Sequence, residues 1–183
     1  MMQILRKARN RIKRFATQQN GTATIEIVLI LPVFMTMFLM SYEGGRISTN
    51  HVMLERGLDL AVRDVRIGKV KDPSHAELKK SICDYAKIIP ECLENLQLEM
   101  IPMDIRAWNN SLDGPVLCVN REEDAEANIR FTNGQNNKLM VLQVCSLFDP
   151  VMPTTGFGKN ITKISGGAYA LVATSAFVME PFQ

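Results

Sequence analysis

TATIEIVLILPVFMTMFLMS, residues 22–41, is the stretch on which the reading of this chain turns. From Ile27 to Met40 it carries no charge. Twenty helical residues rise about 30 Å, the thickness of a bilayer's hydrocarbon core. A buried helix of a soluble domain and a cleaved secretory signal are the two alternatives. The signal is disfavoured because no A-x-A-like site closes the run; SYEGGR follows at residues 41–46. Pro32 interrupts the stretch, which a membrane helix tolerates when neighbours satisfy the freed carbonyl.

Outward from this segment, charge sets an orientation. Arg6, Lys7, Arg9, Arg11, Lys13 and Arg14 precede Gly21 with no acid among them, whereas all 19 acidic residues follow it. The positive-inside rule makes residues 1–21 a basic cytoplasmic leader and residues 22–42 the span. Residues 43–183 become a periplasmic domain of a single-pass inner-membrane protein. Without the leader, acidic residues outnumber basic ones. The domain therefore has no nucleic-acid footprint, and the apolar run directly after the leader argues against a nucleic-acid-binding arm.

Glu26 is the odd residue of the span. A charge at the centre of a spanning helix costs roughly 2.5–3.5 kcal/mol on insertion scales. Glu26 lies four residues past Thr22, only about 6 Å along the axis, so it can snorkel to the interface. The other reading is that it pairs with a cation. A cut after Gly21 would free an α-amino group on Thr22, with a reference pKa of about 7.7–8. Positions 22 and 26 have i, i+4 helical spacing. Glu26 would then neutralise that amine, in its own chain or in a neighbour's.

Gly21, an acid five residues later and an apolar helix together resemble the type IV prepilin signal. More closely, GTATIEIVLILPVF at residues 21–34, with Glu43 and Arg46 beyond the span, resembles the TadE-like family. Its members are minor pilins, or pseudopilins, of the tight-adherence (Flp) pilus machine. Gly21, Glu26, the Leu31-Pro32 pair and Glu43 match the family pattern. Ile27 stands where an aromatic residue usually follows the Glu, and an extra Gly44 widens the E-G-R element. Residues 54–66 resemble the family's helix after the span, and residues 144–153 and 169–182 its C-terminal half. The resemblance is weakest from Glu91 to Lys138.

That resemblance implies leader cleavage between Gly21 and Thr22 by a prepilin peptidase, and a role for Glu26 in helix pairing and assembly. It implies action at the initiation or tip of a fibre that serves adhesion and biofilm formation. The implied partners are the membrane, the major Flp pilin, other pseudopilins of TadF-like and TadG-like type, and the Tad membrane platform. The TadF-like branch shares this architecture; overall resemblance favours the TadE-like one. The competing reading is a signal-anchored periplasmic enzyme or sensor unrelated to pili.

Past the span the pattern stays helical. Ile47, His51, Leu54, Leu58, Ala61 and Val65 form one stripe at helical spacing. This predicts a helix over about 46–67, kinked or broken from the span at Gly44-Gly45 and C-capped by Gly68. His51 reads as a packing residue on that stripe. A second helix is expected over about 74–89. Ser74 with Glu77 fits a capping box, and Asp72 with Pro73 is the competing register. Strands follow, mainly within 96–183: Leu96 to Ile105, an edge or bulged strand because of Pro102; Val116 to Val119; Leu139 to Phe148; and Tyr169 to Met179. Asn120 to Asn137 reads as a loop with a turn at Asn133-Gly134. Residues 149–167, rich in Pro and Gly, read as a long shaped connection. The fold class is α+β: an N-terminal transmembrane helix extending into a long amphipathic helix packed on a small antiparallel β-sheet, pilin-like.

Four cysteines, Cys83, Cys92, Cys118 and Cys145, suggest two disulfides in an oxidising compartment. The three possible connectivities remain open from spacing. Cys83–Cys92 with Cys118–Cys145 is favoured, the second pair tying two predicted strands. No C-x₂-C pair supports zinc, and no redox C-x-x-C motif exists. No catalytic motif is legible and no cofactor is expected. His51 and His75 begin no metal motif, and Gly156 and Gly158 read as a surface turn rather than a phosphate cradle. Glu122, Glu123, Asp124 and Glu126 lack calcium-loop spacing and read as a solvated acidic loop.

Overall fold

The computed structural model describes residues 13, 22–70, 72–104, 116–121, 130–135, 137–154 and 156–179. Residues 1–41 and 42–183 form two compact units. The expected leader lies almost wholly outside the described residues, as does the acidic loop at Glu122–Glu126.

α1 (Thr22–Arg66, 45 residues) is one long helix, as expected from a span that extends into the amphipathic stretch, with no break at the glycine pair. It runs through Pro32, Gly44 and Gly45 without interruption. Each glycine costs a helix about 1 kcal/mol, too little to break one that is hydrogen-bonded on both sides. Within the first unit its apolar side chains face outward: Ile25, Leu29, Phe34 and Phe38 are each 59–68% exposed. A helix apolar on all sides belongs in a core or a bilayer, and this stretch is long and apolar enough to cross a membrane. α1 ends at a Schellman motif, with the N–H of Lys69 donating to Asp64 O at 3.0 Å and that of Gly68 to Val65 O at 3.1 Å. Gly68 takes the required left-handed conformation, φ 73°.

In the second unit Leu54, Leu58, Ala61 and Val65 of α1 are buried, as the stripe requires. His51 stays partly exposed and its Nε2 lies 3.3 Å from Val172 O. Helix α2 (His75–Tyr85) starts on the Ser74–Glu77 capping box, which settles the register against Asp72-Pro73. It ends at Tyr85 rather than near residue 89. Its cap residue Ala86 leaves helical backbone at φ −93°, ψ 49°, while its N–H still donates to Ile82 O. Glu91 then takes φ 47°, and the Cys83–Cys92 disulfide closes the reversal. Ile89 still reaches the core from this turn.

A short helix α3 (Cys92–Asn95) leads into β1 (Leu96–Met103). β2 (Leu139–Phe148) and β3 (Tyr169–Val178) complete an antiparallel sheet of order β1-β2-β3. Pro102 lies in edge strand β1, opposite Met140, where its missing N–H is tolerated. Register puts Leu98, Val144 and Ala173 on one face, with Met100 and Leu142 beside them. This face shares a core with α1 and α2. Gln97, Cys145 and Val172 stand on the opposite face. The result is α+β, a long helix over a small antiparallel sheet.

Residues 116–119 form no strand. β2 already pairs with β1 and β3, so the sheet interior offers no free edge to them. The outer edge of β1 is met at Met100 by Phe131 in a single parallel bridge. The N–H of Met100 donates to Arg130 O at 3.0 Å, and that of Thr132 to Met100 O at 2.9 Å. This ordered contact lies inside what reads, from sequence, as a featureless loop. The turn expected at Asn133-Gly134 falls later, where Lys138 N donates to Gln135 O and Asn137 has φ 60°. Gly134 is instead a packing site: a Cβ there would lie 2.7 Å from Met179 Cγ.

Gly57 shows how closely α1 meets the end of α2. A Cβ at this position would lie 2.8 Å from Ala86 Cβ and 2.9 Å from Ile82 O. Gly57→Val gains a few tenths of a kcal/mol in helix propensity, roughly 0.4. Overpacking costs about 1–3 kcal/mol and wins. The variant should unfold at a lower denaturant midpoint in detergent solution; an unchanged midpoint would mean that the two helices separate freely.

Candidate functional site

The span presents Glu26 as an exposed carboxylate one turn into α1. The Thr36 and Ser41 hydroxyls donate to Val33 O and Met37 O at 2.8 and 2.9 Å, so the helix satisfies its own hydroxyls. Thr22, on the far side of the expected cut, is the first residue of α1. Gly21 lies outside the described residues.

The second unit opens on an anchor of a different kind. Glu43 is only 3% exposed, and the N–H of Val151 donates to its Oε1 and Oε2 at 3.0 and 3.1 Å. A buried carboxylate needs such a donor to offset the loss of water. Tyr169 is a neighbour in this polar group. Burial raises its hydroxyl pKa above the ordinary value, its hydrogen bond with Asn50 opposes this, and the charges of Glu43, Arg46 and Asp149 act on it as well. Glu43 thus fastens the connection between β2 and β3 to α1. Glu43→Leu leaves the Val151 N–H without its acceptor, at a cost of about 1–3 kcal/mol. Glu43→Gln keeps an acceptor oxygen and should lose less. Limited proteolysis of residues 149–167 checks this: both variants cut at the wild-type rate would remove the anchor.

Inside that connection, residues 156–160 form a short helix, α4 (Gly156–Asn160), not the expected surface turn. Gly158, inside α4, is buried against the start of the connection: a Cβ there would collide with Met152 O and lie 3.2 Å from Pro150 Cβ. Thr155 lies outside the described residues.

The cysteines pair as Cys83–Cys92 and Cys118–Cys145. Cys118 lies in an irregular segment, so the second bridge does not join two strands; it staples residues 116–121 to the face of β2 that points away from the α1 core. Arg121 in that segment donates to Asn95 Oδ1 from Nε and Nη2, and to Asp149 Oδ1 at 2.8 Å. Glu99 is likewise buried on that side, 3% exposed, and pairs with Arg130 at 3.2 Å. Spacing alone does not reveal these pairings, because each joins residues 26–31 positions apart.

Both histidines serve packing. His75 Nε2 lies 3.3 Å from Leu98 O and its ring meets Phe131 edge-on at 5.4 Å. Desolvation holds its pKa below the ordinary value. Among the described residues no group of three or more His, Cys, Asp or Glu side chains is placed to hold a metal ion. What the geometry offers is, in the first unit, a membrane-length apolar helix with one acid in it and, in the second, a disulfide-bonded α+β domain.

The model of a family described as TadE-like protein matches residues 21–63. The match contains Gly21, Glu26, the Leu31-Pro32 pair and Glu43, and it extends along α1 to Arg63. No curated protein sequence and no solved structure matches the chain.

Proposed function

We propose that this TadE-like chain is a minor pilin, a structural component that acts in the initiation or tip assembly of a tight-adherence (Flp) pilus and so supports adhesion and biofilm formation. The observation that carries the reading is the family match along α1, whose outward-facing apolar surface holds Glu26 near its start. An apolar helix with lipid-facing sides supplies lateral packing area. Glu26 supplies a charge that favours one register with a cation of a neighbouring helix.

In this reading residues 1–21 are a cytoplasmic leader that a prepilin peptidase removes between Gly21 and Thr22. Residues 22–42 cross the inner membrane and residues 43–183 lie in the periplasm. The partners are the major Flp pilin, other pseudopilins of TadF-like and TadG-like type, and the Tad membrane platform. The two disulfides suit that oxidising side.

The test is deletion of the coding sequence in its own cell, with N-terminal analysis of the membrane-bound protein in the parent. The expected result is loss of surface Flp fibres, restored by the wild-type chain, and a mature form beginning at Thr22. Normal fibres after deletion would overturn the assembly role. A membrane pool that keeps residues 1–21 would overturn the cleavage step and favour a plain signal anchor.

A further inference from the structure

We infer that residues 150–154 and 156–164 of the connection between β2 and β3 form an interfacial membrane-binding element that rests its apolar side chains in the headgroup region of the bilayer. The inference rests on the reading of residues 22–42 as a membrane span.

Position comes first. Val151 is hydrogen-bonded to Glu43 at 3.0 Å. Glu43 is three residues past Met40, the last aliphatic residue of the apolar run. Even fully extended, three residues reach only about 11 Å. The loop is therefore held close to the level where the chain leaves the hydrocarbon, whatever course the chain takes between.

Packing within the loop ties its other residues to Val151. Gly158 is pressed against Met152 and Pro150, the neighbours of Val151. This carries Phe157 and Lys159 with it. Lys163 Nζ donates to Pro153 O at 2.8 Å, which ties the far limb back to the near one. The loop is a built unit hung on Glu43.

Its surface chemistry fits an interface. Val151, Phe157 and Ile164 are 40%, 48% and 51% exposed. Three large apolar side chains left in water on one short loop carry a cost that burial in lipid removes, at about 25 cal/mol per Å². Lys159 and Lys163 are also exposed, and no acid occurs from Pro150 to Ala168. Apolar residues interleaved with lysines are the composition of segments that lie in the plane of an anionic bilayer surface. Such a loop would fix the tilt and rotation of the span and so the direction in which the domain faces its neighbours.

The test is depth-dependent quenching in the full chain. Trp108→Phe combined with Phe157→Trp gives a single tryptophan in the loop. The control combines Trp108→Phe with Val178→Trp, at the end of β3, about 30 Å along that strand from Tyr169. Both are reconstituted in vesicles of phosphatidylcholine and phosphatidylglycerol, with the phosphatidylcholine brominated near the top of its acyl chains. Quenching at position 157 severalfold stronger than at 178, with weaker access to aqueous acrylamide, supports the inference. Equal acrylamide access at the two positions and no lipid quenching overturns it. Protection from acrylamide without lipid quenching also overturns it, since a second copy then covers the loop. Protein that fails to float with the vesicles refutes the span itself, which is a separable result.

Discussion

Replacing both Cys118 and Cys145 with alanine is expected to lower the stability of the domain by about 3.5 kcal/mol, the chain-entropy value for a loop of this length. The bridged residues are 27 positions apart, against 9 for Cys83–Cys92. The same account gives the shorter loop about 2.6 kcal/mol. A domain holds roughly 5–15 kcal/mol in all, so either loss is a large share. The longer bridge has a second consequence. It holds residues 116–121 on the sheet, and Arg121 there joins Asn95 to Asp149. Asp149 is two residues from Val151, the donor to Glu43. Loosening Cys118 therefore also loosens the loop that leaves the same end of β2. Denaturation of the two double-alanine variants, without reductant, measures the ranking. Equal losses, or a larger loss at Cys83–Cys92, would refute the loop-length account.

The elements that a short repeat encodes were legible in the sequence. An uncharged run of helical length, a stripe from Leu54 to Val65, the Ser74–Glu77 box and the apolar runs at 139–148 and 169–178 each report local backbone preference, and each forms its element. The failures have one physical cause, which is tertiary competition for edges and volume. Val116 to Val119 has strand composition, but a disulfide holds Cys118 over the face of β2 that points away from the α1 core, not beside a strand edge. Gly44-Gly45 is a local helix breaker that α1 overrides. Gly57 and Gly158 read as ordinary glycines until the groups that crowd their missing Cβ are known. Glu43 was legible as a match to a family pattern, but its acceptor role needs an amide 108 residues away.

Glu26→Ala should leave membrane insertion intact and abolish fibre assembly. Removing a charge from a spanning helix makes insertion more favourable, by roughly 2.5–3.5 kcal/mol if the site were central and by less near the interface. A carboxylate that merely snorkels is thus dispensable. One that neutralises the amine of a cleaved chain is not. Breaking a poorly hydrated ion pair by deleting one partner costs about 3–5 kcal/mol, because the other charge stays where it cannot be solvated. That corresponds to roughly two to three and a half decades in lateral association. Glu26→Asp keeps the charge one methylene short and should assemble weakly; Glu26→Gln keeps the shape without the charge and should fail like alanine. Fibre counts, membrane fractionation and the mature N-terminus of each variant separate the steps. If alanine supports wild-type fibres on a chain that begins at Thr22, the acid has no part in pairing, and the apolar faces of α1 alone must set its register in the fibre.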